Sequence, residues 1–163
     1  MQTFLPENAY HECASALDSK RLNKQILEAY QILNVLSGNS PTGGWRNHPA
    51  VLMWKNHEYS LAVYAMSMID EAEKRNIKVD KNRENIQNLV KKFGDSWGRG
   101  TPFWFNKKDL DRIRMTHKAN LYIKDPTYYS KYAYAVNDPL NKPCCDTCKY
   151  YWVTHDRRDN IKA

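Results

Sequence analysis

The chain has 163 residues of which 42% are hydrophobic, enough for one real core and too few for two domains, so residues 1–163 are read as a single domain. Lysine and arginine number 25 against 18 aspartates and glutamates, a formal net charge of +7, and with a pI near 9.2 this favours a polyanionic partner such as nucleic acid over acidic or neutral ligands. Met-Gln-Thr-Phe-Leu-Pro at the start lacks a basic leader followed by a long apolar run, and the longest mostly apolar stretch, 61–69, is too short to cross a bilayer. The expectation is a cytoplasmic monomer with no membrane contact.

In chain order, a short helix is predicted over 7–17 after Pro6. Asp18 can cap the next, which runs to about Leu36, with Leu22, Ile26, Ala29, Tyr30, Leu33 and Leu36 as its apolar stripe and Ile32 and Val35 beside Glu28. The Gly-rich stretch 37–44 is a loop, since it lacks the Gly-Lys-Ser/Thr ending of a phosphate loop. Asn47 or His48 caps a third helix with Pro49 at its first position, predicted to run unbroken to about Arg75. Further helices are predicted over 84–93, ended by Gly94, and over 107–123, stopping before Asp125-Pro126. No alternating run is long enough to propose a sheet, and 95–106 and 134–163 read as irregular. The fold class is therefore all-α, a compact single-domain helical bundle with an irregular C-terminal segment.

Within the second helix, at about 100° per residue, Arg21, Lys24 and Glu28 fall in one sector. Glu28 then lies at the edge of the core in a cationic field, where a carboxylate can move protons or steady a developing cation. The same spacing also fits an ordinary Lys24/Glu28 ion pair on a solvated face. Arg46, Asn47 and His48 sit at a helix N-terminus, where they can contact a phosphate or simply cap. His57 reads as a core-edge histidine, and Trp97, Phe103, Trp104 and Phe105 as packing residues. From His117 and Lys118 through Lys124 to Tyr128, Tyr129, Lys131 and Tyr132, bases alternate with aromatics around a proline break, a pattern suited to phosphate contacts and base stacking. Cys145 and Cys148 form one Cys-x-x-Cys pair. A zinc site needs two more ligands, which Cys13, Cys144 or His155 could supply in three dimensions, but reduced thiols without metal are the expectation, and a disulfide is expected less than either.

Pro-Thr-Tyr-Tyr-x-Lys-Tyr over 126–132, together with a helix bearing a single inward glutamate and a long helix ending Glu-Ala-Glu-Lys-Arg-Asn-Ile, resembles the phage pyrimidine-dimer DNA glycosylase (endonuclease V) family over most of the chain. The resemblance implies a compact all-α enzyme on duplex DNA that attacks the sugar C1′ with its N-terminal amine, forms a Schiff base and cleaves the strand by β-elimination. It needs no cofactor and no metal. It places the family's glutamate on Glu28, its basic contact on Arg21 and its aromatic-basic segment on Tyr128, Tyr129, Lys131 and Tyr132. The arginines beside the family's glutamate correspond to Leu27 and Gln31, so phosphate contacts are expected from Arg21, Lys24, Arg46 or Lys118. Because Gln2 is large, methionine is expected to be retained and the candidate nucleophile is the amine of Met1, with Lys20 or Lys24 as substitutes. The alternatives are a non-catalytic DNA-binding or architectural protein, and a monofunctional glycosylase that uses water.

Overall fold

A computed structural model describes residues 1–40 and 44–155. The predicted loop residues 41–43 and the end of the predicted irregular segment, 156–163, lie outside the described residues. Among the described residues there are six α-helices, α1 (Tyr10–Ala16), α2 (Ser19–Leu36), α3 (Pro49–Trp54), α4 (Glu58–Lys74), α5 (Asp80–Phe93) and α6 (Lys107–Lys124), with short 3-10 segments at Gly94–Ser96 and Ser130–Asn137. Among the described residues there is no strand. The fold is all-α.

Helix α2 is central because its apolar spacing covers a wide stripe: Leu22, Ile26, Ala29, Ile32 and Leu33 are buried against α4, which presents Leu61, Ala65, Met68 and Ile69. Gln25 lies within the same stripe and is buried with it. Burying each such aliphatic side chain contributes roughly 1.5–3 kcal/mol, so this seam supplies much of the folding drive. The α1 C-terminus is tied to the end of α4 by Arg75, whose Nη2 donates to the carbonyls of Ala14 and Ser15 at 3.2 Å each. Arg83 of α5 reaches Asp70 and Glu73 of α4 at 2.8 and 2.9 Å.

The long helix predicted from Pro49 to Arg75 is broken. Trp54 ends α3, Asn56 takes a left-handed φ of 68°, and α4 restarts at Glu58. The cause is a close approach from elsewhere: the Tyr59 N–H donates to the Gly98 carbonyl at 3.2 Å, and a Cβ on Gly98 would fall 1.8 Å from the Asn56 carbonyl oxygen. Only glycine at 98 lets the two backbones meet. The first helix is shorter than predicted and α5 begins four residues earlier, at Asp80 rather than 84.

The first six residues form no helix, yet 2–6 are buried. They thread between α2, α3, α4 and α6, and because a buried extended chain must satisfy its backbone polar groups elsewhere, side chains do so. Gln25 Oε1 accepts from the Phe4 N–H at 2.8 Å, His117 Nδ1 accepts from the Leu5 N–H at 2.9 Å, and the Tyr64 hydroxyl donates to the Phe4 carbonyl at 2.8 Å. Trp54 Nε1 donates to Thr3 Oγ1 at 3.0 Å. From Asp138 to Thr154 the chain runs without regular structure back across α6. Asn120 Nδ2 donates to the Lys149 carbonyl at 2.6 Å, the Tyr151 N–H donates to Thr116 Oγ1 at 3.1 Å, and Thr154 Oγ1 donates to the Pro49 carbonyl at 2.9 Å.

Candidate active site

The anchored N-terminal segment ends in a cleft of about 350 Å³. Met1, Gln2 and Phe4 form one wall, and Lys20, Arg21, Lys24, Gln25 and Glu28 of α2 form the floor. Lys124 from the end of α6 and Tyr150 from the C-terminal segment close it. Helical periodicity accounts for the floor, since positions 21, 24, 25 and 28 share one face. The placement of Met1 is tertiary: it follows from the side-chain anchors on residues 3–5.

Glu28 is half-buried, and its Oε2 is fully buried with no hydrogen-bond partner. An unpartnered buried carboxylate oxygen costs about 1–3 kcal/mol or more; Glu58 Oε2 is in the same state, but Glu28 is the one that lines the cleft. The surface-pair alternative for Glu28 has no support, as Lys24 makes no ion pair with it among the described residues. Gln2 Nε2, in the same cleft, is the second buried polar atom left without a partner there. Burial pushes the Tyr64 hydroxyl well above the ordinary tyrosine range, with the nearby Cys13, Tyr10 and Glu28 adding to it. Tyr64 is therefore a fixed hydrogen-bond donor behind the floor.

The rim is cationic. Burial lowers the Lys124 pKa, and repulsion from Arg21, Lys149 and Lys24 lowers it further. Arg21 pairs with Asp18 at 3.2 Å and lies 5.9 Å from the Tyr129 ring centroid. In sequence Lys124 is one base of the basic-aromatic stretch; its place at the end of α6, immediately before Asp125-Pro126, is the signal that sets it apart.

The remaining sequence-predicted contacts divide by exposure. Arg46 and Asn47 are exposed on the turn before α3. His48 caps α3, its Nδ1 accepting from the Ala50 N–H at 3.1 Å, and packs 5.8 Å from Trp152, which in turn lies 5.7 Å from Tyr150 of the cleft. Lys118 Nζ donates to the Tyr134 hydroxyl at 3.0 Å, Lys131 is exposed over the Tyr132 ring, and Tyr128 is 49% exposed. Two expectations are corrected. His117 is 1% exposed and burial lowers its pKa to about 3, so it is a neutral core acceptor and offers no cation to a phosphate. Tyr129 is fully buried, with its hydroxyl donating to Asp18, so its ring has no face free to stack a base. Helical pattern alone could not separate Tyr128, which faces out, from its buried neighbour.

Cys144, Cys145, Cys148 and His155 converge, whereas Cys13 is buried apart, within α1. Cys145 and Cys148 are paired as a disulfide, contrary to the expectation of reduced thiols. A Cys-x-x-Cys turn with its Cα atoms 5.2 Å apart brings two sulfurs together by backbone geometry alone.

A family model for pyrimidine dimer DNA glycosylases matches residues 1–85, which include Met1, the whole of α2 and the α3–α4 break. The chain belongs to that family. DNA is accordingly its substrate class, and DNA glycosylase its enzyme class. Comparison with curated proteins and with solved structures returned no match. No helix among the described residues is long and apolar enough to cross a membrane.

Proposed function

We propose that this single domain excises a pyrimidine lesion from duplex DNA and cleaves the strand at the resulting abasic site, with Glu28 as catalytic carboxylate and the Met1 amine as nucleophile. The observation that carries this is the buried, unpartnered Glu28 Oε2 in the same cleft as Met1. The free-base amine forms a bond to C1′ as the glycosidic pair leaves with the pyrimidine, which takes up a proton. Glu28 offsets the cationic sugar between these events. Opening of the sugar places a proton on O4′ and leaves an imine at C1′. Loss of a C2′ proton then expels the 3′-phosphate oxygen, and in this proposal Glu28 relays both protons. Lys20, Arg21, Lys24 and Lys124 surround the cleft with charge suited to the flanking phosphates, while exposed Arg46, Asn47, Tyr128 and Lys131 extend the contact surface. A target nucleotide must leave the stack to reach this cleft.

The test uses duplexes carrying a cyclobutane dimer or an abasic site, scoring base release, strand cleavage and borohydride trapping separately; on the dimer, base release is read as free pyrimidine after photoreversal, since the cyclobutane ring tethers the cleaved base to its neighbour. Glu28→Gln should abolish base release while DNA affinity stays within about tenfold, because the charge acts mainly in the transition state. Full turnover by this variant on a verified substrate refutes the assignment. Base release without trapping favours a water-using enzyme, and salt-sensitive binding without either favours a binding protein.

A further inference from the structure

The C-terminal segment carries a feature that base excision does not use. The Sγ atoms of Cys144, Cys145 and Cys148 and a ring nitrogen of His155 all lie within 4.8 Å of one another. A tetrahedral zinc ion with bonds of about 2.0–2.3 Å holds its ligands about 3.5–3.8 Å apart, so once the Cys145–Cys148 bond is reduced those two sulfurs need only move apart, and the widest pairs draw in slightly, to enclose one. Three thiols and an imidazole are the donor set that zinc prefers. We propose that, with its thiols reduced, this chain binds one structural zinc ion through Cys144, Cys145, Cys148 and His155.

The backbone around the four residues is already arranged for it. The Cys148 N–H donates to the Cys145 carbonyl at 3.1 Å, the Cys144 N–H to the Tyr150 carbonyl at 3.3 Å and the His155 N–H to the Trp152 carbonyl at 3.0 Å. These turns bring separated positions to one point in a stretch with no helix or strand between Asn137 and Cys148. Segments with so little regular structure depend on cross-links, and four protein ligands with no open position make a cross-link, not a reactive centre. The ion would close a loop that begins at Cys144 and ends at His155, and Tyr150 lies within that loop. Tyr150 packs edge-on against Phe4 at 6.0 Å and His117 at 5.5 Å and forms a wall of the cleft. Zinc would therefore fix that wall from behind. The site itself does not depend on the glycosylase reading, and its test involves no DNA.

The protein, without a histidine tag, is purified under reducing conditions from zinc-supplemented cells and its metal content measured by mass spectrometry. One zinc per chain is expected, released by a thiol-modifying reagent. Cobalt substituted for zinc should give the thiolate charge-transfer and tetrahedral ligand-field bands of a three-sulfur, one-nitrogen site. His155→Ala and Cys148→Ser should each reduce bound metal at least about tenfold, while Cys13→Ala leaves it unchanged. The cobalt spectrum is recorded on the unsubstituted chain, so the test survives if the variants fail to fold. Reduced protein that takes up neither metal, or that keeps its zinc in the His155→Ala, Cys148→Ser double variant, overturns the site.

Discussion

Replacing Gln25 with methionine tests whether the N-terminal segment is held in place for chemistry. Gln25 is 2% exposed, and its Oε1 accepts from both the Phe4 N–H and the Tyr64 hydroxyl at 2.8 Å. Methionine keeps the length and nearly the volume but offers no strong acceptor. The Tyr64 hydroxyl retains the Phe4 carbonyl at 2.8 Å, so the group left unsatisfied is the Phe4 N–H. A buried N–H without a partner costs about 1–3 kcal/mol, which at this chain length lowers the melting midpoint by about 2–12 °C. Folding should survive, since a domain of this size is stable by about 5–15 kcal/mol. The larger effect is on position. Met1 lies three residues from the lost anchor, and misplacing a reacting group by about an ångström costs on the order of 100-fold in rate. Single-turnover borohydride trapping on abasic duplex, run well below the variant's midpoint, should therefore slow by about 10- to 100-fold. Fluorescence anisotropy should find affinity within about threefold, as Lys20, Arg21, Lys24 and Lys124 are untouched. A variant with a lowered midpoint that traps at the native rate refutes the claim that this anchor places the nucleophile.

Acid should destabilise the fold through His117. Its Nδ1 must stay unprotonated to accept from Leu5, and its pKa falls from 6.5 to about 3 in the folded state, so the unfolded chain binds the extra proton first. Stability is thus fully present above about pH 6.5 and declines toward pH 3, by about 2 kcal/mol at pH 5. Urea midpoints that are equal at pH 7 and 5, or an imidazole nitrogen resonance titrating near 6.5, would contradict this. At the α3–α4 break, Gly98→Ala should cost about 2 kcal/mol or more, because its Cβ would meet backbone at 1.8 Å, whereas a Cβ on Gly100 meets nothing within 4 Å and Gly100→Ala should be nearly neutral. Thermal melts of the two variants side by side decide it, and equal midpoints would reject the steric account.

What sequence could and could not reveal follows from where the information resides. The α2 face was legible because Arg21, Lys24 and Glu28 are related by helical period, a local property. Pro49, with His48 before it, marked the start of α3 for a similar reason. The break at 55–57 was not legible, since Lys55 and Asn56 suit the wet face of a continuous helix and the cause lies at Gly98. Gln25 is polar and so does not register in an apolar stripe, yet an uncharged amide three residues after Leu22 and four before Ala29 is the sign of a buried hydrogen-bonding role. His117 looked like one more base among lysines because its acceptor role depends on Leu5, 112 positions away. Cys144 and His155 were only possible zinc ligands by spacing; the folded segment brings them beside Cys145 and Cys148.

The anchoring of the first six residues also sets an order of events during synthesis. Met1 through Pro6 precede Gln25, Trp54, Tyr64 and His117, the side chains that secure them. At about 5–20 residues per second, the 112 positions from Leu5 to His117 take roughly 6–22 s to translate. Through that interval the first residues lie on an open chain, within reach of any enzyme that trims or acylates nascent termini, and afterwards Met1 lines the cleft. On the proposed mechanism, whether a molecule keeps a free Met1 amine is then settled before it finishes folding, by a race between terminal processing and the arrival of α6.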